Sequence, residues 1–440
     1  MAALDAFFLK RHGALVLALL AAYGMAYYFT AILLPYTRAT TAHPTQGRYR
    51  FGNDFYHIWL TSRECLLQRR DPYSPEITSK IQKGIFGRAL SSGNPEDPSA
   101  EDRAFAYPAF VDFLGAFVAW LPFSVAGIIL LFLLPILVGI SVWLWSEALG
   151  WQVSQPVIMI LALLTLSSYP ELEALYALQP GIFEAFFLSA ACAWLVRGKQ
   201  IQSGCWLALA MIKPQVSLLL TVYLLLWSLT NWRERKKFAI GFLLMLAMLT
   251  LLPVLIWPRW IVGWLGAASK YAVYSRPLLP IYAFGPVVGK AFIVLALIIS
   301  VWFAWNSRSA SANSLRFVLN VCFLLAITTT LLPRRGFYDQ IILLPGIMLV
   351  IVHWRKFWRR NLVSKLILSL AMGALLWPWI AAPIVIAVHF IAPELILTVL
   401  VLPIRTATAL PFVVVGLLLL LIRITWGKHT SSSSQLVSGN

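Results

Sequence analysis

Phe51-Gly-Asn-Asp-Phe-Tyr-His-Ile-Trp59 opens the first long polar loop of an otherwise apolar chain, directly after the first run long enough to cross a membrane. Of the 17 acidic residues in 440, eight lie between Asp54 and Asp102, and Asp54 is the first of them. A chain leaving a bilayer at this point turns along its surface. A carboxylate placed there can stay ionised, reach a hydroxyl and still face a substrate held in the membrane.

The rest of the composition agrees. With 60% apolar and 12% charged residues and a mean hydropathy of +0.79, the chain is an all-α polytopic membrane protein, since soluble domains run at about 25% charged. About ten or more runs reach the roughly 20 apolar residues that a spanning helix needs. The net charge of +18 does not point to nucleic acid. The basic residues fall in short loops beside apolar runs, where the positive-inside rule and anionic lipid headgroups account for them. Cys65, Cys192, Cys205 and Cys322 form no metal-binding or disulfide pattern.

Lys10-Arg11-His12 followed by apolar sequence to Leu34 reads as an uncleaved signal anchor. The serine-rich end, residues 429–440, reads as a disordered tail behind one integral membrane domain, residues 1–428. Within the first loop, Thr37–Arg103, apolar residues at helical spacing from Asp54 to Leu67, and again at Ile77, Ile81 and Ile85, predict interfacial amphipathic helices. Ser91–Asp102 is a run of turn formers.

Arg197–Lys199, Trp232–Lys237, His353–Arg360 and Arg423–Lys428 are the best cytoplasmic loops. Counting spans back from Arg197 lays residues 106–122 at the interface and puts residues 37–122 wholly outside. Ser203–Ser228 then starts and ends on one side, as a hairpin of two short helices broken at Lys213-Pro214 would. Residues 258–286 form a second outer loop. Beyond Leu362, Pro378, Pro383, Pro393 and Pro403 leave two to four segments.

On this topology the polar residues that are costly near a membrane gather on the outer side: Asp54, Glu171, Glu173, Gln179, Lys270, Arg276, Arg334, Arg335 and Asp339. Asp54 is the candidate general base, and equally an ordinary helix N-cap. His57, one turn on, could pair with it on a metal, but two ligands without a third make no site, and no metal or cofactor is expected. Arg69-Arg70-Asp71-Pro72-Tyr73 is either a charged turn or a seat for an anionic headgroup. Lys213, isolated in apolar sequence, either snorkels to an interface or binds a phosphate at the membrane face. Tyr338-Asp339, following Arg334-Arg335, is either a local ion pair or part of a site, and Glu184 is a buried polar group or part of a polar cavity. No nucleotide-binding glycine pattern, zinc spacing or nucleophile elbow is present.

Asp54-Phe-Tyr, Asp71-Pro-Tyr73, Ala106-Tyr-Pro108, Gln179-Pro-Gly, Gly204–Lys213 and Tyr338-Asp339, in this order over residues 14–355, together resemble glycosyltransferase family 87. That family consists of GT-C-fold enzymes that use polyprenyl-phosphate sugars. Two departures stand out: Tyr107-Pro108-Ala109 where the family often has two prolines, and Leu178 where a glycine usually precedes the glutamine. The resemblance implies a GT-C fold with about 11–13 transmembrane helices, in a multi-pass protein of a bacterial cytoplasmic membrane with its active site on the extracytoplasmic face. It implies inverting transfer of a sugar, mannose-like or other, from a polyprenyl-phosphate donor to a hydroxyl of a glycolipid or glycan acceptor. Asp54 takes the family's base position. Lys213, Arg69, Arg70, Arg276, Arg334 and Arg335 are the cations available to the donor phosphate. His57, Tyr73, Tyr107, Glu171, Gln179, Tyr338 and Asp339 are the candidate substrate contacts. The rival readings are a transporter or flippase of lipid-linked sugars, which calls for paired polar residues within helices, and a lipid-linked oligosaccharide ligase, which calls for a late-loop histidine where the chain has none between His57 and His353.

Overall fold

The computed structural model describes residues 2–40, 51–91, 93–94, 97, 103–275, 277–333 and 337–426. Among these the fold is helical throughout, with one isolated antiparallel bridge between Leu278 and Pro333. The tail expected at 429–440, and most of the Ser91–Asp102 insertion, lie outside the described residues.

Helix α1 (Ala2–Tyr27) runs through a π-helical turn, Tyr28–Leu33, into α2 (Leu34–Thr40). Its membrane-length part is Gly13–Ala39. The π turn aims Tyr28 at the far end of the chain, where its hydroxyl donates to the Leu400 carbonyl at 2.7 Å. With Met25, Phe29 and Ile32 it forms a small second core against Ala382, Val385 and Ile396.

The first polar loop holds α3 (Asn53–Gln68), α4 (Pro75–Phe86) and α5 (Val111–Ala119). Ser74 caps α4 by accepting from the Ile77 amide, Pro75 preorganises the first turn, and Gly87 ends it in the left-handed conformation. Ile77, Ile81 and Ile85 are buried, as their spacing predicts. α3 buries Phe55, Ile58, Trp59 and Cys65 and packs on α5. α5 has nine residues, about 14 Å of helix, against the roughly 30 Å of a hydrocarbon core. It cannot span.

Then follow α6 (Phe123–Ala148), α7 (Gln155–Leu166), α8 (Tyr169–Ala177), α9 (Gly181–Val196), α10 (Gln200–Leu209), α11 (Pro214–Thr230) and α12 (Trp232–Val254). α7 and α8 meet at 69°, a broken span or a re-entrant loop. α10 and a 3₁₀ turn, Ala210–Ile212, form one leg of the expected hairpin and α11 the other, with Lys213 at the tip. The two ends return to one place. Gln200 Nε2 donates to the Glu234 carbonyl at the start of α12, and Asn231 alone separates α11 from α12. α10 lies flush on α12 because Gly204 on α10 and Gly241 on α12 each face the other helix's backbone: a β-carbon on Gly204 would meet the Phe238 carbonyl oxygen at 2.2 Å.

The stretch expected as a second outer loop, residues 258–286, holds α13 (Trp260–Tyr274) and α14 (Leu279–Phe284). The remaining helices are α15 (Pro286–Ser307), α16 (Leu315–Leu331), α17 (Leu344–Val352), α18 (Trp354–Trp358), α19 (Leu362–Ile391), α20 (Ile396–Val399) and α21 (Leu410–Trp426), with a 3₁₀ segment Phe337–Leu343 leading into α17. Pro378 and Pro383 do not break α19, whereas the chain does leave the helix before Pro393. Membrane helices tolerate proline because neighbouring groups satisfy the freed carbonyls.

Among the described residues, five helices are long and apolar enough to cross a membrane, six if α7 and α8 count as one span. The expected 11–13 is reached when the six shorter apolar helices among the described residues are counted too. Outward faces such as Ile128, Phe132 and Ile136 on α6, Leu243, Leu244 and Leu251 on α12, and Leu362, Leu366 and Leu370 on α19 are exposed and apolar. Such faces call for hydrocarbon around them.

Candidate active site

Asp54 is not the cap of its helix. Gly52, at φ +69°, holds that position with no side-chain cap bond, and its amide donates to the Tyr176 carbonyl at 2.9 Å. Asp54 stands in the first turn of α3, where its negative charge also suits the helix dipole. Its carboxylate is gripped from two distant segments. One oxygen accepts from Arg103 Nη1, and the other from Gln179 Nε2 at 2.5 Å. The Asp54 and Arg103 side chains are 13% and 16% exposed, so the pair is sheltered yet touches the surface.

A second ion pair lies on the other side of the Gln179-Pro180-Gly181 turn. Lys213 Nζ donates to Asp339 Oδ1 at 2.7 Å, with only 5% and 9% of the two side chains exposed. The ammonium also stands 5.1 Å from the centre of the Tyr338 ring. Gly181 gives the pair its room, because a β-carbon there would lie 2.6 Å from Asp339 Oδ1 and 3.2 Å from Lys213 Nζ. The same turn thus serves both acids, through the Gln179 amide on one side and the bare Gly181 on the other.

Aromatic rings line the space between. The His57 and Tyr107 rings stack at 5.6 Å, and Tyr73 donates its hydroxyl to the Tyr107 carbonyl at 2.8 Å. α13 closes over them, with Gly263 against the Tyr73 ring and Trp264 Nε1 donating to the Ala106 carbonyl at 3.2 Å. Tyr107 and Tyr271 each feel the charges of Asp54, Lys213 and Asp339, and Tyr338 feels those of Asp54 and Asp339.

The model of glycosyltransferase family 87 matches residues 105–333. The chain belongs to glycosyltransferase family 87. No curated protein and no solved structure matches it. This family 87 protein is an all-α polytopic membrane glycosyltransferase. The matched stretch contains Tyr107, Glu171, Gln179 and Lys213, while Asp54 and Asp339 flank it and reach it through the bonds above.

The structure thus brings together most of the candidates of this family 87 chain: Asp54, His57, Tyr73, Tyr107, Gln179, Lys213, Tyr338 and Asp339. Glu171 is buried near Asp339, with neither carboxylate oxygen hydrogen-bonded. Glu184, one turn into α9, is buried in the same condition beside Lys213. The remaining cations divide. Arg70 sits in a network with Glu64 and Glu76, each at 2.7 Å. Arg69 is exposed and ends α3 in the left-handed conformation. Arg276, Arg334 and Arg335 lie outside the described residues. Lys213 does not snorkel. It is fully engaged by Asp339.

Three residues escaped the sequence reading. Arg103 closes the polar insertion and carries no motif; its link to Asp54 spans 49 residues. Asp112, on the buried face of α5, accepts from Ser62 Oγ at 3.3 Å, and burial raises its carboxyl well above the usual range. Its placement in an apolar helix was the available signal. Tyr271, on α13, carried none. Burial also lowers the His57 imidazole to about 4, against the opposing pull of Asp54, so His57 is neutral at physiological pH. Leu178 takes φ +52°, a left-handed conformation that glycine adopts freely. That is a physical reason for the glycine usual at this position, and this chain fills it with a buried leucine instead.

Proposed function

We propose that the protein is an inverting glycosyltransferase that moves a sugar from a polyprenyl-phosphate donor to a hydroxyl of a glycolipid or glycan acceptor. The transfer occurs on the extracytoplasmic face of a bacterial cytoplasmic membrane, within a single membrane domain over residues 1–428. Asp54 is the base. As the acceptor oxygen forms its bond to the anomeric carbon, the bond from that carbon to the phosphate oxygen breaks. The acceptor proton passes to Asp54, and polyprenyl phosphate departs with the electron pair. A phosphate leaving group needs no acid, only cationic surroundings. Tyr73, Tyr107, His57 and Tyr338 offer rings and polar tips to a sugar, and Glu171, Gln179 and Asp339 offer acceptors for its hydroxyls.

The observation that carries this reading is the grip on Asp54: a partly exposed carboxylate fixed at both oxygens, at the start of a helix too polar to span. A base must be ionised, aimed and reachable. The transport alternative asked for paired polar groups within helices, whereas Lys213–Asp339 joins a hairpin tip to a 3₁₀ segment. Family membership favours transfer.

The test is turnover of a polyprenyl-phosphate sugar by purified Asp54→Asn protein, with the anomeric configuration of the product read by NMR. The expected loss is about 10²–10⁴-fold. Near-normal rates, or retained configuration in the wild type, would overturn the assignment. Sidedness has its own test. A cysteine at Lys83, exposed at the end of α4, is expected to react with an impermeant thiol reagent in intact cells, and one at Lys236 is not. The reverse pattern would put the site inside.

A further inference from the structure

Arg103 is bound to the residue it would have to release. A carboxylate has lone pairs for more than two donors, but with both Asp54 oxygens engaged the clearest approach for the acceptor hydroxyl opens when one of the two donors yields. Gln179 is poorly placed to move. It is buried, its amide is bonded to the Ala174 carbonyl at 2.8 Å, and Leu178 and Pro180 hold the chain on either side. Arg103 differs in two respects. It lies outside any helix, between α4 and α5, and its side chain keeps some exposure. It is also one of three non-glycine residues with positive φ among those described, at +67°. Backbone held in this sparsely populated region is a mark of functional segments.

Of the other candidate cations described, Lys213 pairs with a buried carboxylate and Arg70 with two glutamates, while Arg69 stands exposed at the end of α3. A guanidinium also suits a change of partner better than an ammonium does. Its planar fork matches carboxylate and phosphate equally well, and its long stem lets the head move while the backbone stays.

We propose that Arg103 is a shuttle: it pairs with Asp54 in the arrangement described here and transfers to the phosphate of the lipid-linked donor when that binds, freeing the base. This rests on the donor class and base assigned above. Activation of the acceptor then waits for the donor, and the enzyme does not deprotonate a hydroxyl with nothing to attack. Asp54 and the donor phosphate compete for one cation, so by linkage each weakens the hold of the other.

Competition makes a prediction that a purely structural clamp does not. The probe is a short-chain polyprenyl phosphate without sugar, its affinity measured against the full-length protein in detergent, with the matching polyprenol as control. The wild type is expected to prefer the phosphate. Asp54→Asn keeps the shape of the side chain but releases Arg103. It should bind the phosphate about two- to fivefold more tightly, which is the worth of a partly exposed ion pair. Arg103→Gln should bind about tenfold more weakly or worse, and the double variant should show no gain over Arg103→Gln alone.

If Arg103→Gln does not fold, Arg103→Lys replaces it and should fall between the two, while the Asp54→Asn arm stands by itself. Unchanged or weaker binding by Asp54→Asn overturns the shuttle, as does unchanged binding by Arg103→Gln. A wild type that binds polyprenol as tightly as the phosphate removes the donor class and the shuttle together. A wild type that prefers the phosphate but is indifferent to Asp54 removes the shuttle alone, and loss of turnover in Asp54→Asn still stands for the base.

Discussion

Two ion pairs flank one turn, and they are built for opposite purposes. Asp54–Arg103 joins a helix start to an irregular segment and keeps an edge toward solvent. Lys213–Asp339 joins a hairpin tip to a 3₁₀ segment, is almost fully enclosed, and is seated against a glycine with no room to spare. The first contact can open at modest cost. The second costs a great deal to break, because removing one partner strands a charge in a low-dielectric setting. A catalytic group that must change partners belongs in the first kind of environment. A joint that holds the bundle around it belongs in the second.

The sharpest way to break this comparison is to cut both pairs in the same stability assay. Lys213→Met strands Asp339 and is expected to cost about 3–5 kcal/mol, whereas Asp54→Asn is expected to cost about 1 kcal/mol or less. Unfolding in detergent, by heat or denaturant, reads both. Lys213→Met combined with Asp339→Asn should recover most of the loss. Equal losses from Lys213→Met and Asp54→Asn would erase the distinction.

Next in size is the response to acid. His57 is buried and neutral, with its proton affinity lowered from about 6.5 to about 4. The unfolded chain therefore takes up this proton first. Stability from burying the neutral ring is complete above about pH 6.5 and falls as the pH drops toward 4, by about 3 kcal/mol in all. His57→Gln should flatten that part of the pH profile; a profile of the same slope without His57 would assign it to other groups.

Gly181→Ala is expected to cost about 1–3 kcal/mol by overpacking. Its β-carbon would press on Asp339 and Lys213 but not on Asp54, so donor affinity should suffer less than stability. Smallest is Asp112→Asn. Because burial raises that carboxyl well above the usual carboxylate range, a neutral amide of the same shape should change stability at pH 7 by less than about 1 kcal/mol. A large loss would mean that the group carries a charge.

Membrane helices, interfacial helices and the break at Lys213-Pro214 were legible because each is local: apolar length, period and proline are read within one segment. So were most members of the site, since a polar residue in an apolar run is conspicuous wherever it ends up. The partnerships were not. Lys213 meets Asp339 across 126 positions, and Asp54 meets Gln179 across 125. Nothing in either neighbourhood specifies the other. Arg103 went unremarked because a basic residue at the end of a polar insertion looks like any solvated charge. The late prolines left the count open for a related reason: a proline can stop a helix or stand within one, and Pro378 and Pro383 stand within α19, followed by a short helical segment and α21.

The hairpin of α10 and α11 has a consequence for how the protein is made. Its 17-residue second leg is about 25 Å long, so Lys213 can stand most of a bilayer's thickness away from the level of Gln200 and Thr230. The hairpin carries a cation away from both its ends, which meet at one place, so it adds nothing to the parity of the spans. A topology deduced by counting crossings, or by tagging the connections on either side, gives the same answer whether or not this segment is seated. Correct insertion of the hairpin leaves its only trace at the tip, in whether Lys213 has found Asp339.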